Sequence, residues 1–220
     1  MHSHVQAVTL RRMDREFWID AWTNQQIGFH GATVNPQLLR HGDQLPGAPA
    51  RVFVPLAGKS LDLAWLREQG YDVVGVELSS LAVHAFFEEQ GLSPEVESQG
   101  ELVAYRVPGL TLYCGNFFSI SSTELAGVSA LYDRAALVAL PPALRQRYVA
   151  HLGSILARHT VGLLVALERT LNVAAGPPFS VSEQDVRALY EPAFSVLCLA
   201  SYEPDDRGLR ESVYRLERLG

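Results

Sequence analysis

Two cysteines, Cys114 and Cys198, are too few and too far apart for a disulfide framework or a thiolate metal site. They suit a reducing compartment. Positive charge is also scarce. Eighteen Lys and Arg stand against 24 Asp and Glu, a formal charge of −6, which argues against wholesale binding to nucleic acid or an anionic membrane. No uncharged apolar run reaches the length of a membrane span. The opening residues, MHSHVQAVTLRRMDREFW, lack the apolar core of a secretory signal. There are no internal repeats and no low-complexity tracts. The expectation is a soluble, cytoplasmic, monomeric protein that binds neither nucleic acid nor membrane, with His2 and His4 in a frayed tail over residues 1–13. A hydrophobic share of 48% in 220 residues excludes disorder and supports one domain. Residues 1–50 read as tail and cap, and 51–220 as the core.

What is present is organised around Arg51 to Glu77, RVFVPLAGKSLDLAWLREQGYDVVGVE. Val52–Val54 is a short buried strand, broken by Pro55 to Ser60. Leu61, Ala64, Trp65 and Leu66 recur at helical spacing until Gly70, and Val73–Val76 is a second buried strand closed by Glu77. This is a βαβ unit, the start of a parallel sheet whose ligand crevice lies past the strands' carboxyl ends. Gly58 permits close backbone approach. Glu77 follows 19 residues later, where a carboxylate can accept from both hydroxyls of a ribose.

Missing glycines narrow the ligand. Gly58-Lys59-Ser60 matches the end of a phosphate loop, but the first glycine of that motif would fall at Phe53, inside the strand. A dinucleotide fingerprint needs three glycines around the pyrophosphate, and here there is one. S-Adenosylmethionine has ribose and adenine but no phosphate, so one glycine suffices. Glu77 would take its ribose, and Asn116 with Phe117, just past a later strand, its adenine. The plainer alternative is that Gly58 only turns the chain and Glu77 is only a surface acid.

Along the rest of the chain, Asp14 caps a helix carrying Phe17, Trp18 and Trp22, more aromatic surface than a short helix needs. It either packs on the core or covers a flat ligand. Residues 35–49 are mostly loop with a helical turn at Leu38-Leu39. Ser79 or Ser80 caps a helix with Leu81, Val83, Phe86 and Phe87 inward, leaving Glu88 and Glu89 solvated. Strands follow at 102–107, 110–114, 128–132 and 161–167, and helices at 143–158 and after Ser182. The rigid loop 172–181 carries Phe179. Two final strands, near 194–200 and 212–216, flank a polar loop with Arg207. The count is about seven strands in a three-layer α/β/α sheet, mostly parallel with one antiparallel edge strand.

FWIDAW (Phe17–Trp22), IGFH (Ile27–His30), PLAGKSLDLAWL (Pro55–Leu66), VVGVELS (Val73–Ser79), YDRAALVALPP (Tyr132–Pro142) and GPPFSV (Gly176–Val181) occur in this order. Together they resemble the thiopurine S-methyltransferase family in its bacterial branch. The resemblance implies a Rossmann-like class I methyltransferase fold with an N-terminal helical cover. It implies methyl transfer from S-adenosylmethionine to sulfur in thiopurines or aromatic thiols, leaving S-adenosylhomocysteine, with selenium and tellurium species as related acceptors. By motif position the cofactor residues would be Trp18, Trp22, Leu56, Gly58, Glu77, Asn116, Phe117 and Arg134, with Phe29 between cofactor and acceptor. The loop departs from the commoner PLCGKS by Ala57, and Asn116 stands where many relatives have an acid.

A thiol that arrives ionised needs no strong base, so no catalytic base is assigned and His30 is left as a structural or solvent-facing histidine. Arg134 is the candidate for an electrostatic role, with an Asp133–Arg134 network as the plainer alternative. Phe29 and Phe179 with the two tryptophans would line an apolar acceptor pocket, to which Arg207 adds positive charge. A non-catalytic sensor for the same cofactor would share most of these features but lack an acceptor pocket.

Overall fold

The apolar runs at 52–54, 73–76, 128–132 and 161–167 lie side by side at the centre of one sheet in the computed structural model, which describes residues 15–171 and 177–220. They belong to β1 (Arg51–Val54), β2 (Asp72–Glu77), β6 (Val128–Arg134) and β7 (Val161–Arg169). Buried on both faces, they carry no polar alternation. Phe53, Val74, Leu131 and Leu164 enter the core on one face, and Val52, Val73, Ala130 and Leu163 the core on the other.

The sheet has nine strands, in the order β3-β4-β5-β2-β1-β6-β7-β9-β8. The others are β3 (Glu95–Gln99), β4 (Leu102–Val107), β5 (Leu110–Cys114), β8 (Phe194–Ser201) and β9 (Leu209–Arg218). Strands β5, β2, β1, β6 and β7 are mutually parallel. Antiparallel strands flank them on both sides, β4 and β3 beside β5, β9 and β8 beside β7. The parallel core agrees with expectation; the extensions exceed the single antiparallel edge expected. Exposed Glu95–Gln99 is polar except for Val96, so its strand signal is weak, and its charge suits an edge that must not pair further.

Helix α1 spans residues 15–23 of those described. Helices α2 (Pro36–His41), α3 (Leu61–Glu68) and α4 (Ser80–Glu89) accompany one core. Helices α5 (Ala136–Ala139), α6 (Pro142–Ile155) and α7 (Glu183–Tyr190) accompany the other. Ser79 caps α4, and Ser182 makes a reciprocal capping box with Asp185 on α7. Two expected helix faces are corrected. In α3 the buried residues are Asp62, Leu63 and Leu66, while Leu61, Ala64 and Trp65 are half-buried. Asp62 goes inward because it accepts the Asn35 N–H at 2.7 Å and the Tyr132 hydroxyl at 2.9 Å. In α4, Ala82 replaces Leu81, which is 49% exposed.

Gly75 brings β2 close to β5: a Cβ there would lie 2.7 Å from Leu112 Cδ1. The tail with His2 and His4, the Asp14 cap and residues 172–176 of the Phe179 loop lie outside the described residues. Among the described residues no helix is long and apolar enough to cross a membrane.

Candidate functional site

The carboxyl ends of β1, β2 and β5 converge on Glu77, the last residue of β2. Its carboxylate is buried, and each oxygen accepts one backbone N–H at 2.8 Å, Oε2 from Gly58 and Oε1 from Ser79. Its own carbonyl accepts the Gly115 N–H at 2.8 Å, which fixes the exit of β5. The Ala57 N–H donates to the Val76 carbonyl at 2.9 Å. One residue thus ties together the turns after β1, β2 and β5. Burial pushes the Glu77 pKa up, against the pull of the Ser79, Gly58 and Leu78 amides. Each carboxylate oxygen keeps a lone pair for a further donor.

Backbone strain collects at the same place. Gly58 has φ +56°, a conformation that suits glycine, and Leu56 has φ +47° without being one. Ala135, just after Arg134, has φ +66°. Left-handed non-glycine residues cost roughly 1–2 kcal/mol each. Their clustering at the mouth of adjacent strands is typical of a binding crevice.

A cleft of about 170 Å³ opens beside this hub. Leu56, Val76, Leu78 and Gly115 line it from the strand ends, Asn116, Phe117 and Phe118 from the turn after β5, and Leu140, Leu144, Arg147 and Tyr148 from α6 and its approach. Arg15 and Trp18 of α1 close one side. The lining is largely apolar, with flat rings. Phe117 packs against Tyr148 at 4.8 Å between centroids, and the Arg147 guanidinium lies 4.0 Å over Phe118. Asn116 does less than expected. Its carbonyl oxygen already accepts the Phe118 N–H at 3.0 Å, which caps a short 3-10 turn. That leaves its NH₂ group and one lone pair to face the cleft, and the Phe117 N–H, first in the turn, needs no acceptor within it.

The aromatic helix and the segment after it fold over the first loop. Trp18 meets Phe29 edge-to-face at 5.2 Å, and Trp22 meets Phe29 at 5.6 Å. Trp22 also covers Gly58, whose hypothetical Cβ would sit 3.5 Å from its ring. Trp22 is buried, whereas Phe29 is 39% exposed and Phe17 50%. His30, next to Phe29, has its pKa lowered by burial and then by Lys59, with Glu89 opposing and Arg134 adding to the shift.

Lys59 directly precedes Ser60, the cap of α3. Its ammonium pairs with Glu89 Oε1 at 2.5 Å and is only 13% exposed. This fastens the first loop to α4, engages an acid expected to be solvated, and leaves Lys59 no role as a phosphate ligand. Arg134, half-buried at the end of β6, does not pair with Asp133. Asp133 is buried and accepts instead from Tyr148 and Tyr190. Phe179 is half-buried; its N–H bonds the Val138 carbonyl at 2.8 Å, and the Arg145 guanidinium lies 6.0 Å over its ring. Arg207 is exposed and bonded to Asp205, outside the cleft lining.

The structure therefore brings Trp18, Leu56, Asn116 and Phe117 into one cleft, with Glu77, Gly58, Trp22 and Phe29 adjoining. It does not bring Arg134, Phe179 or Arg207 into the lining of that cleft. Leu78, Leu140, Leu144, Arg147 and Tyr148 were missed as lining residues. Helical periodicity marked Leu144 and Tyr148 as inward, but not what they face.

The model of the family described as Thiopurine S-methyltransferase matches residues 13–218. A thiopurine S-methyltransferase of Azotobacter vinelandii is 48% identical, the match covering 94% of this chain and 100% of that protein. One from Pseudomonas fluorescens is 52% identical over 80% of this chain and 82% of the relative. Among solved structures, a Burkholderia thailandensis 1,6-didemethyltoxoflavin-N1-methyltransferase with bound S-adenosylhomocysteine superposes with a TM-score of 0.67. That match is 16% identical and covers 99% of this chain and 90% of the other, so it speaks to the fold alone. With a family match along nearly the whole chain, and a relative 48% identical spanned in full, the chain belongs to the thiopurine S-methyltransferase family.

Proposed function

We infer that this protein transfers a methyl group from S-adenosylmethionine to the sulfur of thiopurines or other aromatic thiols, with selenium and tellurium species as further acceptors. It works as a monomer in the cytoplasm, one domain in which residues 1–50 cap the core. The acceptor class is supported by the full-length likeness to relatives that carry that name. The cofactor reading is carried by one observation: the buried Glu77 carboxylate, bonded to the Gly58 N–H, stands beside an apolar cleft.

The residues fit that cofactor. Glu77 has acceptor capacity left for two ribose hydroxyls. Gly58 and Leu56 hold the first loop in a conformation that lets backbone groups face its amino-acid moiety. The Phe117 N–H and the Asn116 side chain meet the adenine edge, and Phe117 and Tyr148 supply apolar walls. The loop's own cation, Lys59, is paired with Glu89 rather than free for a phosphate.

When bound, S-adenosylmethionine supplies an electrophilic methyl group on a sulfonium. The protein's share is alignment and exclusion of water. Trp18, Trp22 and Phe29 roof the first loop, and Phe179 faces the acceptor from the far loop. Arg134 holds positive potential at the end of β6, which favours an acceptor arriving as thiolate. His30, kept neutral by burial and by the Lys59 and Arg134 charges, is not needed as a base. Incubation with labelled cofactor and a panel of aryl thiols, selenite and tellurite tests this reading: methylated thiol is expected. Tight cofactor binding with no methylated product from any acceptor would make the protein a sensor.

A further inference from the structure

Strand β6 ends in a carboxylate that the chemistry above does not use. Asp133 is fully buried, one residue before Arg134. Its Oδ2 accepts two hydroxyls, from Tyr148 at 2.8 Å and Tyr190 at 2.9 Å. Its Oδ1 is buried and has no hydrogen-bond partner among the described residues. Tyr148 comes from α6 and lines the cleft. Tyr190 comes from α7, packs on Phe194 and is absent from that lining. A half-satisfied buried carboxylate is a costly way to fill a core, and apolar residues of equal volume serve stability as well or better. What the cluster does supply is fixed geometry. It joins the strand end that bears Arg134 to the wall of the cleft and to the helix behind it.

We propose that Asp133 is a positioning residue for the cofactor cleft: it holds the Tyr148 ring against Phe117 and sets where Arg134 leaves β6. The proposal rests on the methyl-donor reading of that cleft. The anionic form does this best, because hydroxyl bonds to a carboxylate are roughly twice as strong as bonds to a neutral oxygen. Burial raises the Asp133 pKa to about 6, against the pull of the two hydroxyls. The groups that face it are Tyr148 from α6 and Tyr190 from α7, both neutral with pKa values well above the usual tyrosine range. Arg134 is its neighbour along β6. The proton adds to Oδ1, the oxygen with no donor, and leaves Oδ2 a weaker acceptor for both hydroxyls. Cofactor affinity then falls as pH drops through about 6. Glu77 is a second carboxylate raised by burial, so acid loss in the parent protein alone does not identify Asp133.

Two variants separate them, with S-adenosylhomocysteine binding measured calorimetrically from about pH 5 to pH 8. Tyr190→Phe removes one donor from Asp133 and leaves the cleft lining intact. It is expected to bind within about twofold of the parent at pH 8, with its acid loss beginning about one pH unit higher. Asp133→Asn has the shape of the protonated acid and no charge. It is expected to bind about fivefold more weakly at pH 8, matching the parent's acid plateau, with cofactor KM raised and kcat nearly unchanged. Superimposable pH profiles for the parent and Tyr190→Phe, or parent-like binding by Asp133→Asn at pH 8, would overturn the proposal. If Asp133→Asn does not fold, the Tyr190→Phe profile decides. A parent that binds no S-adenosylhomocysteine at any pH overturns the methyl-donor reading, and the proposal with it.

Discussion

The turn after β1 and the turn between β8 and β9 lie at the same end of the sheet, and their ingredients look alike. Each has a glycine of positive φ, Gly58 at +56° and Gly208 at +71°, a cation, Lys59 or Arg207, and an acid that accepts backbone N–H groups. The acids differ. Glu77 comes from another strand, is buried, and burial raises its pKa. Asp205 lies within its own turn, in open solvent. Its pKa is lowered by the Leu209 N–H and then by the Arg207 side chain. The first turn is held by the tertiary structure and keeps capacity for a ligand. The second satisfies itself, so a ligand there must compete with bonds already made. That contrast separates a site from a turn more surely than residue type does.

Glu77→Ala is the harshest way to break the contrast. In the proposed reading it removes the ribose acceptor, and it leaves the Gly58 and Ser79 amides without their carboxylate partner. Hydrogen bonds to charged groups are worth about 1.5–3 kcal/mol each, so S-adenosylhomocysteine affinity should fall by at least about tenfold and nearer a hundredfold. Isothermal titration of a variant shown to be folded measures this; unchanged affinity would remove Glu77 from the site. Gly58→Ala comes next. A Cβ there finds room against Trp22 at 3.5 Å, so the cost is backbone strain at φ +56° rather than a clash. Roughly 1–2 kcal/mol of strain predicts about a tenfold loss of cofactor affinity with a modest fall in Tm. Loss of acceptor turnover alone, with cofactor binding intact, would show that the turn does not carry the donor.

These two residues were also the legible ones. A buried strand is read from apolar residues in a row, and its last residue is then located to within a position. Glu77 and Gly58 follow from that, as do the βαβ unit and the parallel core. The cleft's far wall was not legible in the same way. Tyr148 and Leu144 have helical spacing, but spacing gives the inward direction and not the neighbour across the gap. Asp62 and Asp133 were not legible as buried acceptors, because a sequence does not show that Tyr132, Tyr148 and Tyr190 will bring hydroxyls to them. Phe53 already ruled out a phosphate motif at Lys59, but the partner of that lysine, Glu89, lies 30 residues away and could not be read from the sequence.

A gentler test falls between the two turns, on the aromatic cover. Phe29 is 39% exposed yet touches both Trp18 and Trp22. Phe29→Ala should lower kcat/KM for an aryl thiol about tenfold, the roughly 1.4 kcal/mol that an aromatic pair supplies at the upper end of its range. Cofactor affinity should stay within about threefold, because Glu77 and the first loop remain in place. An equal loss in both would merge donor and acceptor sides into one pocket.

The smallest effect is expected at Arg207, where the two turns differ most. Its guanidinium is 77% exposed and bonds Asp205 Oδ2 at 2.7 Å, so it is screened by solvent and partly neutralised by its own turn. An exposed ion pair of this kind contributes little, and its field at a distance fades with added salt. Arg207→Ala should therefore raise the KM of an anionic acceptor by less than about twofold at low salt, and by nothing measurable at high salt. Asp205→Ala frees the same guanidinium and should move KM the opposite way, again by less than about twofold. Steady-state kinetics with selenite and a charged aryl thiol at two ionic strengths would resolve both. A rise above about tenfold for Arg207→Ala, insensitive to salt, requires direct contact. The turn between β8 and β9 would then have to open its own bonds when the acceptor arrives, and the contrast with the first turn would hold only for the protein without its acceptor.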